Sequence, residues 1–423
     1  MKKKLDIQDL ETGMYISELD RPWVESPFLF QGFELTSKEE LAQLRQHCEY
    51  VYIDVELGSD VTPKRMNKDA TARMRIISVQ EERVKREVNA LASTPLVQDG
   101  RPVYPDRVSF EREIPQARKI EKQTRILLRT TLEEVHKGNN INVPLAEKVV
   151  GNMVESVVRN PDALVCLSHL KDVSEYTALH SIRTCILALT FGRHLVLPKE
   201  ELNLLGMGAL LHDIGMAKLP QEMLEKPTAL TVEEFELMQK HVPWGLEVLE
   251  QSGGLPAKAL EVIEQHHERH DGSGYVAHRK GDLIGYWGAI GAIVDVYDAI
   301  TSERLFCRPL SAEETLKRMY EWRHKDFRAD LVEEFIKCMG IYPIGSLVEL
   351  NTGAVGVVIT INRARRLKPK VVLLLTANKK PLSRKFAADL AAHKDGQGKE
   401  LKINRVLPAG TYDINPMDHI VQL

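Results

Sequence analysis

Cysteine is scarce in this chain: five in 423 residues, scattered, odd in number and with no CxxC pair. That argues against a disulfide framework and fits a reducing compartment. Long hydrophobic runs are missing too. None approaches the ~18–20 residues that span a bilayer, so no membrane insertion is expected. Neither sign of charge dominates. Lys plus Arg number 57 and Asp plus Glu 60, for a net charge of −3, which leaves no basic footprint for a nucleic-acid polymer. A secretory leader is not expected either. Met1-Lys-Lys-Lys4 resembles a signal n-region but runs into Asp6, Asp9 and Glu11 with no apolar segment. A cytoplasmic location is the expectation. What remains is a globular composition, 43% hydrophobic and 28% charged, long enough for two or three domains and a sizeable core.

Taken in order, residues 1–60 read as a small mixed α/β domain. Phe28-Leu-Phe-Gln-Gly-Phe33 and Tyr50-Val-Tyr-Ile-Asp54 are aromatic and β-branched, as strands are. Ser37-Lys-Glu-Glu40 is a capping box that opens a helix through His47. Val24 to Phe30 reads as core and turn in preference to a ligand-facing loop. Residues 61–142 form a charged connector followed by a linker helix, Glu111 to Lys137, with apolar residues at Ile114, Ala117, Ile120, Leu127, Leu128, Leu132 and Val135. Gly138-Asn-Asn140 stops it. Residues 143–340 are nearly all helical. Pro198 opens one helix, capping boxes at Thr231–Glu234 and Ser311–Glu314 open two more, and Pro243 is expected to kink or break the helix that carries His241. Residues 341–423 turn to strand patterns at Ser346–Leu350, Gly356–Thr360 and Val371–Thr376. The basic run Arg363-Ala-Arg-Arg-Leu-Lys368 between the last two reads as a solvated hairpin tip.

The chemistry concentrates in the helical block. Nine of the fourteen histidines lie between His169 and His278, more than packing alone calls for. Leu210 to Lys218 reads LLHDIGMAK. Adjacent side chains on a helix diverge by about 100°, so His212 and Asp213 do not simply support each other on a surface. An imidazole and a carboxylate that converge on one point suit a metal ion. With His180, His241, the adjacent His266-His267 and Asp295, they make a metal site the favoured reading over seven separately satisfied core residues.

These stretches resemble the HD-GYP family, a branch of the HD-domain metal-dependent phosphohydrolases. The resemblance rests on His212-Asp-Ile-Gly215, on His266-His-Glu-Arg-His-Asp-Gly-Ser-Gly-Tyr275 and on Asp295-Val-Tyr-Asp-Ala-Ile-Thr-Ser302, with Lys226-Pro227 and His241 between them. Gly13-Met14, Pro22-Trp23 to Phe33 and Tyr52-Ile-Asp54 look like the uncharacterised domain that precedes many of its members; the stretch from Ile341 looks like the extension that often follows. The resemblance implies a mainly α fold: a central all-helical HD-domain bundle, a small mixed α/β N-terminal domain and a small β-rich C-terminal extension. It implies hydrolysis of the bacterial second messenger cyclic di-GMP to linear pGpG, which is then often cut to GMP. Metal ligands would be His180, His212, Asp213, His241, His266, His267 and Asp295, with His212 and Asp213 at the catalytic centre and Asp213 bridging two divalent ions. Two cations ~3.5–4 Å apart can hold a hydroxide that attacks phosphorus in line. Mixed imidazole and carboxylate ligands suit Fe or Mn and leave Zn, Co and Ni open. Tyr275, Arg304 and Arg308 are the candidate substrate contacts, each weighed evenly or nearly so against simple packing or surface pairing.

The sequence departs from the family pattern at three places. Met216 replaces the usual lysine after His-Asp-Ile-Gly, and Lys218, roughly 200° further round a helix, is no obvious substitute. Val276 replaces the proline of Gly-Tyr-Pro. Tyr176 stands where members with a third metal have a glutamate, with Glu175 aimed elsewhere, so two metals are expected. Two alternatives stay open: a low-turnover binding or scaffold protein for a cyclic dinucleotide, and a hydrolase for another cyclic dinucleotide. A homodimer or a signalling-protein partner is also left open.

Overall fold

The structure, a computed structural model, describes residues 2–20, 33–55, 57–59, 82–93, 104–168, 176–224, 226, 230–302, 309–408 and 410–414. The chain divides into two compact units: residues 1–86 with 219–240 and 303–309, and residues 87–218 with 241–302 and 310–423.

In the first unit, strands β1 (Lys2–Asp6), β2 (Tyr15–Leu19), β3 (Phe33–Glu34) and β4 (Tyr50–Asp54) form an antiparallel sheet of order β1-β4-β2-β3, with helix α1 (Lys38–His47) between the last two in sequence. The capping box forms as the sequence predicts: Ser37 Oγ accepts from Glu40 N, and the Glu40 carboxylate accepts from Ser37 N. Period-two alternation places Val51 and Ile53 in the core with Ile16, Leu19, Leu35 and Leu44. The other face carries Tyr50 and Tyr52, and the Lys4 ammonium sits 3.5 Å over the Tyr50 ring. Of the stretch from Val24 to Phe33 read above as strand and turn, only Phe33 is among the described residues, in β3.

Helix α2 covers residues 82–93. The second unit continues with α3 (Phe110–His136), α4 (Val143–Arg159), α5 (Pro161–Ser168), α6 (Tyr176–His194) and α7 (Lys199–Leu211). Next in sequence come α8 (Gln221–Leu224) and α9 (Val232–Gln239), which belong to the first unit. Then follow α10 (His241–Gln251), α11 (Ala257–Gln265), α12 (Tyr286–Thr301), α13 (Ala312–Glu321) and α14 (Ala329–Met339). The Thr231–Glu234 and Ser311–Glu314 capping boxes open α9 and α13. Pro243 behaves differently from the expectation. The break falls three residues earlier, at Lys240, and Pro243 lies in the first turn of a new helix, where its missing N–H costs nothing.

On α3 Ile114, Ala117, Ile120, Leu127, Leu128 and Val135 face inward as the spacing predicts, Leu132 is only half-buried, and Glu113 joins the buried face. This carboxylate is 3% exposed and takes Ser156 Oγ at 2.7 Å and the Arg159 guanidinium at 2.7 and 2.8 Å, which staples α3 to α4. Helices α6, α7, α11 and α12 pack together as the bundle centre, α7 between α6 and α11, and α12 against both α6 and α11. Among the described residues no helix is long and apolar enough to cross a membrane.

The tail is a five-stranded antiparallel sheet of order β8-β7-β6-β5-β9: β5 (Leu347–Leu350), β6 (Val355–Thr360), β7 (Lys370–Leu375), β8 (Pro381–Asp389) and β9 (Ile403–Leu407). Its basic turn is not a solvated tip. Arg363 bonds Asp106 at 2.8 Å and Asp162 at 2.5 Å, and Arg366, 6% exposed, bonds the carbonyls of Ala92 and Lys337. Arg363 and Arg366 are taken up by acids and helix-end carbonyls that lie far away in sequence while Arg365 stays exposed, so the turn is a clasp holding the sheet on the helical domain.

Candidate metal centre

The adjacent pairs His212-Asp213 and His266-His267 share one construction. Leu211 is the last residue of α7 and Gln265 the last of α11, so each pair begins at a helix C-cap. The last four carbonyls of a helix have no partner within it. His212 Nδ1 donates to Ala209 O at 2.9 Å and His266 Nδ1 donates to Ile263 O at 2.8 Å. A carbonyl only accepts, so in both rings the proton sits on Nδ1 and the Nε2 lone pair turns inward. Because the helix ends there, the next residue is freed from the 100° step and can converge with its neighbour.

Gly215 sets how close the turn after Asp213 comes to α10. A Cβ there would stand 1.9 Å from the His241 carbonyl oxygen and 2.6 Å from Gly245 N. That contact brings in His241, the first residue of α10. His180 comes from α6 and Asp295 from α12. All seven residues are buried, with at most 8% exposed.

They fall into two sets. Ligand atoms of Asp213, His241, His266 and His267 lie within 4.8 Å of one another, as do those of His180, His212 and Asp295. Asp213 stands between them. Its Oδ1 is 3.3 Å from His241 Nε2 and 3.7 Å from His266 Nε2; its Oδ2 is 3.4 Å from His212 Nε2 and 3.8 Å from His180 Nε2.

The donor set fits cations. His180 lies between two carboxylates, its Nδ1 2.7 Å from Asp298 Oδ2 and its Nε2 2.8 Å from Asp295 Oδ1. Two buried acids on one imidazole call for a shared positive charge, and a cation on the Nε2 side supplies it while the ring proton stays on Nδ1. His212 Nε2, His267 Nδ1 and Asp295 Oδ2 are buried with no hydrogen-bond partner among the described residues, an arrangement that costs free energy unless something else satisfies them. Protonation states agree. Burial and then the neighbouring His212 push the His266 pKa down to about 3. Burial, with His266 and His241 beside it, holds His267 well below the usual imidazole range. Burial opposes charge on Asp213, but His212, His241, His180 and His266 outweigh it and keep the carboxylate ionised; at Asp295 the adjacent His180 and His212 do the same. His212 is the exception, raised because Asp213 and Asp295 outweigh burial. Neutral imidazoles and ionised carboxylates are the forms that bind metal.

Two residues with no role in the sequence reading support this centre. Asp298 holds His180, as above. Glu268, 1% exposed, accepts from Ala277 N at 2.7 Å and Arg279 N at 2.8 Å, so a buried carboxylate fixes the loop where Val276 replaces proline. The signal for Asp298 was its place three residues after Asp295, on the same helix face. Tyr275 is 6% exposed and stacks on His267, ring centroids 4.5 Å apart at 26°. Lys218 pairs with Glu247 at 2.8 Å. The side chain of Tyr176, Glu175, Pro227, Arg304 and Arg308 lie outside the described residues.

Comparison with known proteins agrees with this architecture. Residues 2–146 match a domain of unknown function (DUF3391), residues 163–330 an HD domain, and residues 347–397 a KOW domain associated with HD domain. The chain is 33% identical over 382 residues to a cyclic di-GMP phosphodiesterase of Pseudomonas aeruginosa, an alignment covering 90% of this chain and 87% of that one. It is 34% identical over 161 residues to a 3'3'-cGAMP-specific phosphodiesterase of Vibrio cholerae, covering 38% and 31% of the two chains. With a cyclic di-GMP phosphodiesterase of Thermotoga maritima it shares 32% over 177 residues, 42% and 48%. The chain thus spans a third to a half of these last two relatives. HD domains bind divalent metals, and the two buried His/Asp sets could hold them. From the paired motifs at two helix ends to the relative matched along nearly its whole length, the chain belongs to the HD-GYP family of HD-domain phosphohydrolases.

Proposed function

We propose that this protein is a phosphodiesterase that hydrolyses cyclic di-GMP to pGpG or GMP, with two divalent cations held by His180, His212, Asp213, His241, His266, His267 and Asp295. The observation that carries the reading is Asp213, whose two oxygens face two different buried ligand sets. Fe and Mn suit this mixture of imidazole and carboxylate. Bound cations supply Lewis acidity toward phosphoryl oxygens and lower the pKa of a water.

The chain's own residues do the rest. Asp213 and Asp295 remain ionised and offset cationic charge, while Asp298 and main-chain carbonyls hold the Nδ1 side of His180, His212 and His266 and leave Nε2 to face inward. Burial excludes bulk water, which strengthens every charge interaction there. Tyr275 braces His267 with one ring face, and Tyr275, Arg304 and Arg308 are the substrate contacts this reading proposes. A soluble second-messenger substrate and a cytoplasmic setting belong to the same reading.

The test is a substrate panel at equal enzyme, with protein purified without oxygen and loaded with Mn or Fe. Cyclic di-GMP should be cleaved to pGpG or GMP, and Asp213→Ala should abolish turnover and lower metal content. Wild-type activity in that variant, or bound but intact cyclic di-GMP in the native protein, would overturn the proposal. A second reading comes from the likeness to the 3'3'-cGAMP-specific enzyme. A large kcat/KM preference for that hybrid dinucleotide would favour it.

A further inference from the structure

His180 differs from the other inward-facing histidines in what holds its outer nitrogen. His212 and His266 each use a main-chain carbonyl three residues earlier in their own helix. His180 uses a buried carboxylate on another helix, Asp298 Oδ2, at 2.7 Å. Asp298 is 3% exposed and lies one turn after Asp295 on α12, so one face of that helix aims both acids at α6. Its other oxygen is taken as well. Asp298 Oδ1 accepts from Arg183 Nε at 2.9 Å and from Ser302 Oγ at 3.1 Å. Arg183 sits three residues after His180 on α6, so the same face of α6 presents the imidazole and the cation that fixes its partner.

The two ligand sets are therefore unequal. One has His180, His212 and Asp295 with Asp213 Oδ2, and a second carboxylate directly behind His180. The other has three imidazoles with Asp213 Oδ1. A carboxylate behind a ligating imidazole fixes its tautomer and orientation and raises its basicity. Hard divalent cations favour the more anionic, oxygen-rich set.

We infer that Asp298, locked by Arg183 and Ser302, is a positioning residue that strengthens one half of the centre, the His180/His212/Asp295 half, and leaves the other to bind on its own. The inference rests on the two-cation reading above.

The experiment is equilibrium dialysis of Mn2+ against the full chain stripped with chelator. The native protein should bind two equivalents. Asp298→Asn keeps an oxygen for His180 Nδ1–H but loses the charge, so the affinity of one equivalent should fall about tenfold. Asp298→Ala should lose that equivalent, with the other unchanged within about twofold. His180→Ala should lose the same one, and adding Asp298→Ala to it should change nothing further. Should Asp298→Ala not fold, with Arg183 left buried and unpaired, the near-isosteric Asp298→Asn carries the test. Two unchanged equivalents in Asp298→Asn would overturn the inference. So would an equal fall in both, the mark of a merely structural role. A native chain binding fewer than two equivalents would instead overturn the two-cation reading itself, and this failure is seen without any variant.

Discussion

Gly215 and Gly245 meet across the contact between the turn after Asp213 and helix α10, and their tolerance of a methyl group differs sharply. At Gly215 a Cβ would stand 1.9 Å from the His241 carbonyl oxygen, and backbone on both sides leaves nothing flexible to move. At Gly245 the nearest atoms are 3.4 Å away, ordinary contact. Gly215→Ala should therefore destabilise the fold by at least about 2 kcal/mol and displace His241 from its set, whereas Gly245→Ala, in a helix, should stay within about 1 kcal/mol of the native protein. Urea titration with Mn2+ binding reads both; equal effects would mean the close approach does not set the position of His241. The sequence already showed that His212-Asp213 and His266-His267 had to converge. It did not show how, because a helix boundary is a matter of one residue. Asp298 and Glu268 were unassigned for another reason. Their work is contact with groups far along the chain or across a loop, and residue type alone announces neither.

At the level of elements, local signals carried well and distant ones did not. The three capping boxes all form, since Ser or Thr with Glu three residues on is a self-contained device. Strands β8 and β9 went unread because Ser383-Arg-Lys385 and Asn404-Arg405 interrupt their apolar alternation. The Arg363–Lys368 turn was misread because its partners, Asp106, Asp162, Ala92 and Lys337, are invisible to local pattern. Asp162 is only 4% exposed and also accepts from Ile361 N at 2.9 Å. Arg363→Met would leave that buried carboxylate without its counter-charge, a loss of about 3 kcal/mol or more. Adding Asp162→Asn should recover much of it, since the cost lies in the uncompensated charge. A double-mutant cycle by chemical denaturation measures this; simple additivity would mean the pair is not coupled. The same clasp borders the start of α3, where Lys370 bonds Glu111 at 2.9 Å, while at its far end His136 Nδ1 lies 3.1 Å from Ala217 O. One helix thus spans from the C-terminal sheet to the turn that follows Asp213.

For the whole molecule, the buried histidines tie stability to pH and to metal. In the metal-free protein His266 has a pKa near 3 and His267 lies well below its ordinary value, both through burial first and neighbouring imidazoles second. Unfolded histidines titrate at about 6.5. Between those values the unfolded chain binds more protons than the folded one, so stability falls as pH drops from about 6.5 toward 3. His212 works the other way. Its raised pKa contributes stability that is complete below the unfolded value and fades as pH rises through the folded one. With His194 also lowered by burial, three depressed histidines against one raised leave the acid side weaker, and Asp213 and Asp295, held low by the surrounding imidazoles, lose their stabilisation at still lower pH. The metal-free protein should therefore melt at a lower temperature at pH 5 than at pH 7. Metal at a hundredfold excess over its dissociation constant should add about 2.7 kcal/mol per site at pH 7. That gain should shrink on acidification, as protons compete for the same Nε2 lone pairs. Calorimetry on stripped and Mn-loaded protein at both pH values checks all three statements. A stripped protein equally stable at pH 5 and 7, with a metal increment that ignores pH, would mean that these imidazoles do not face the cations.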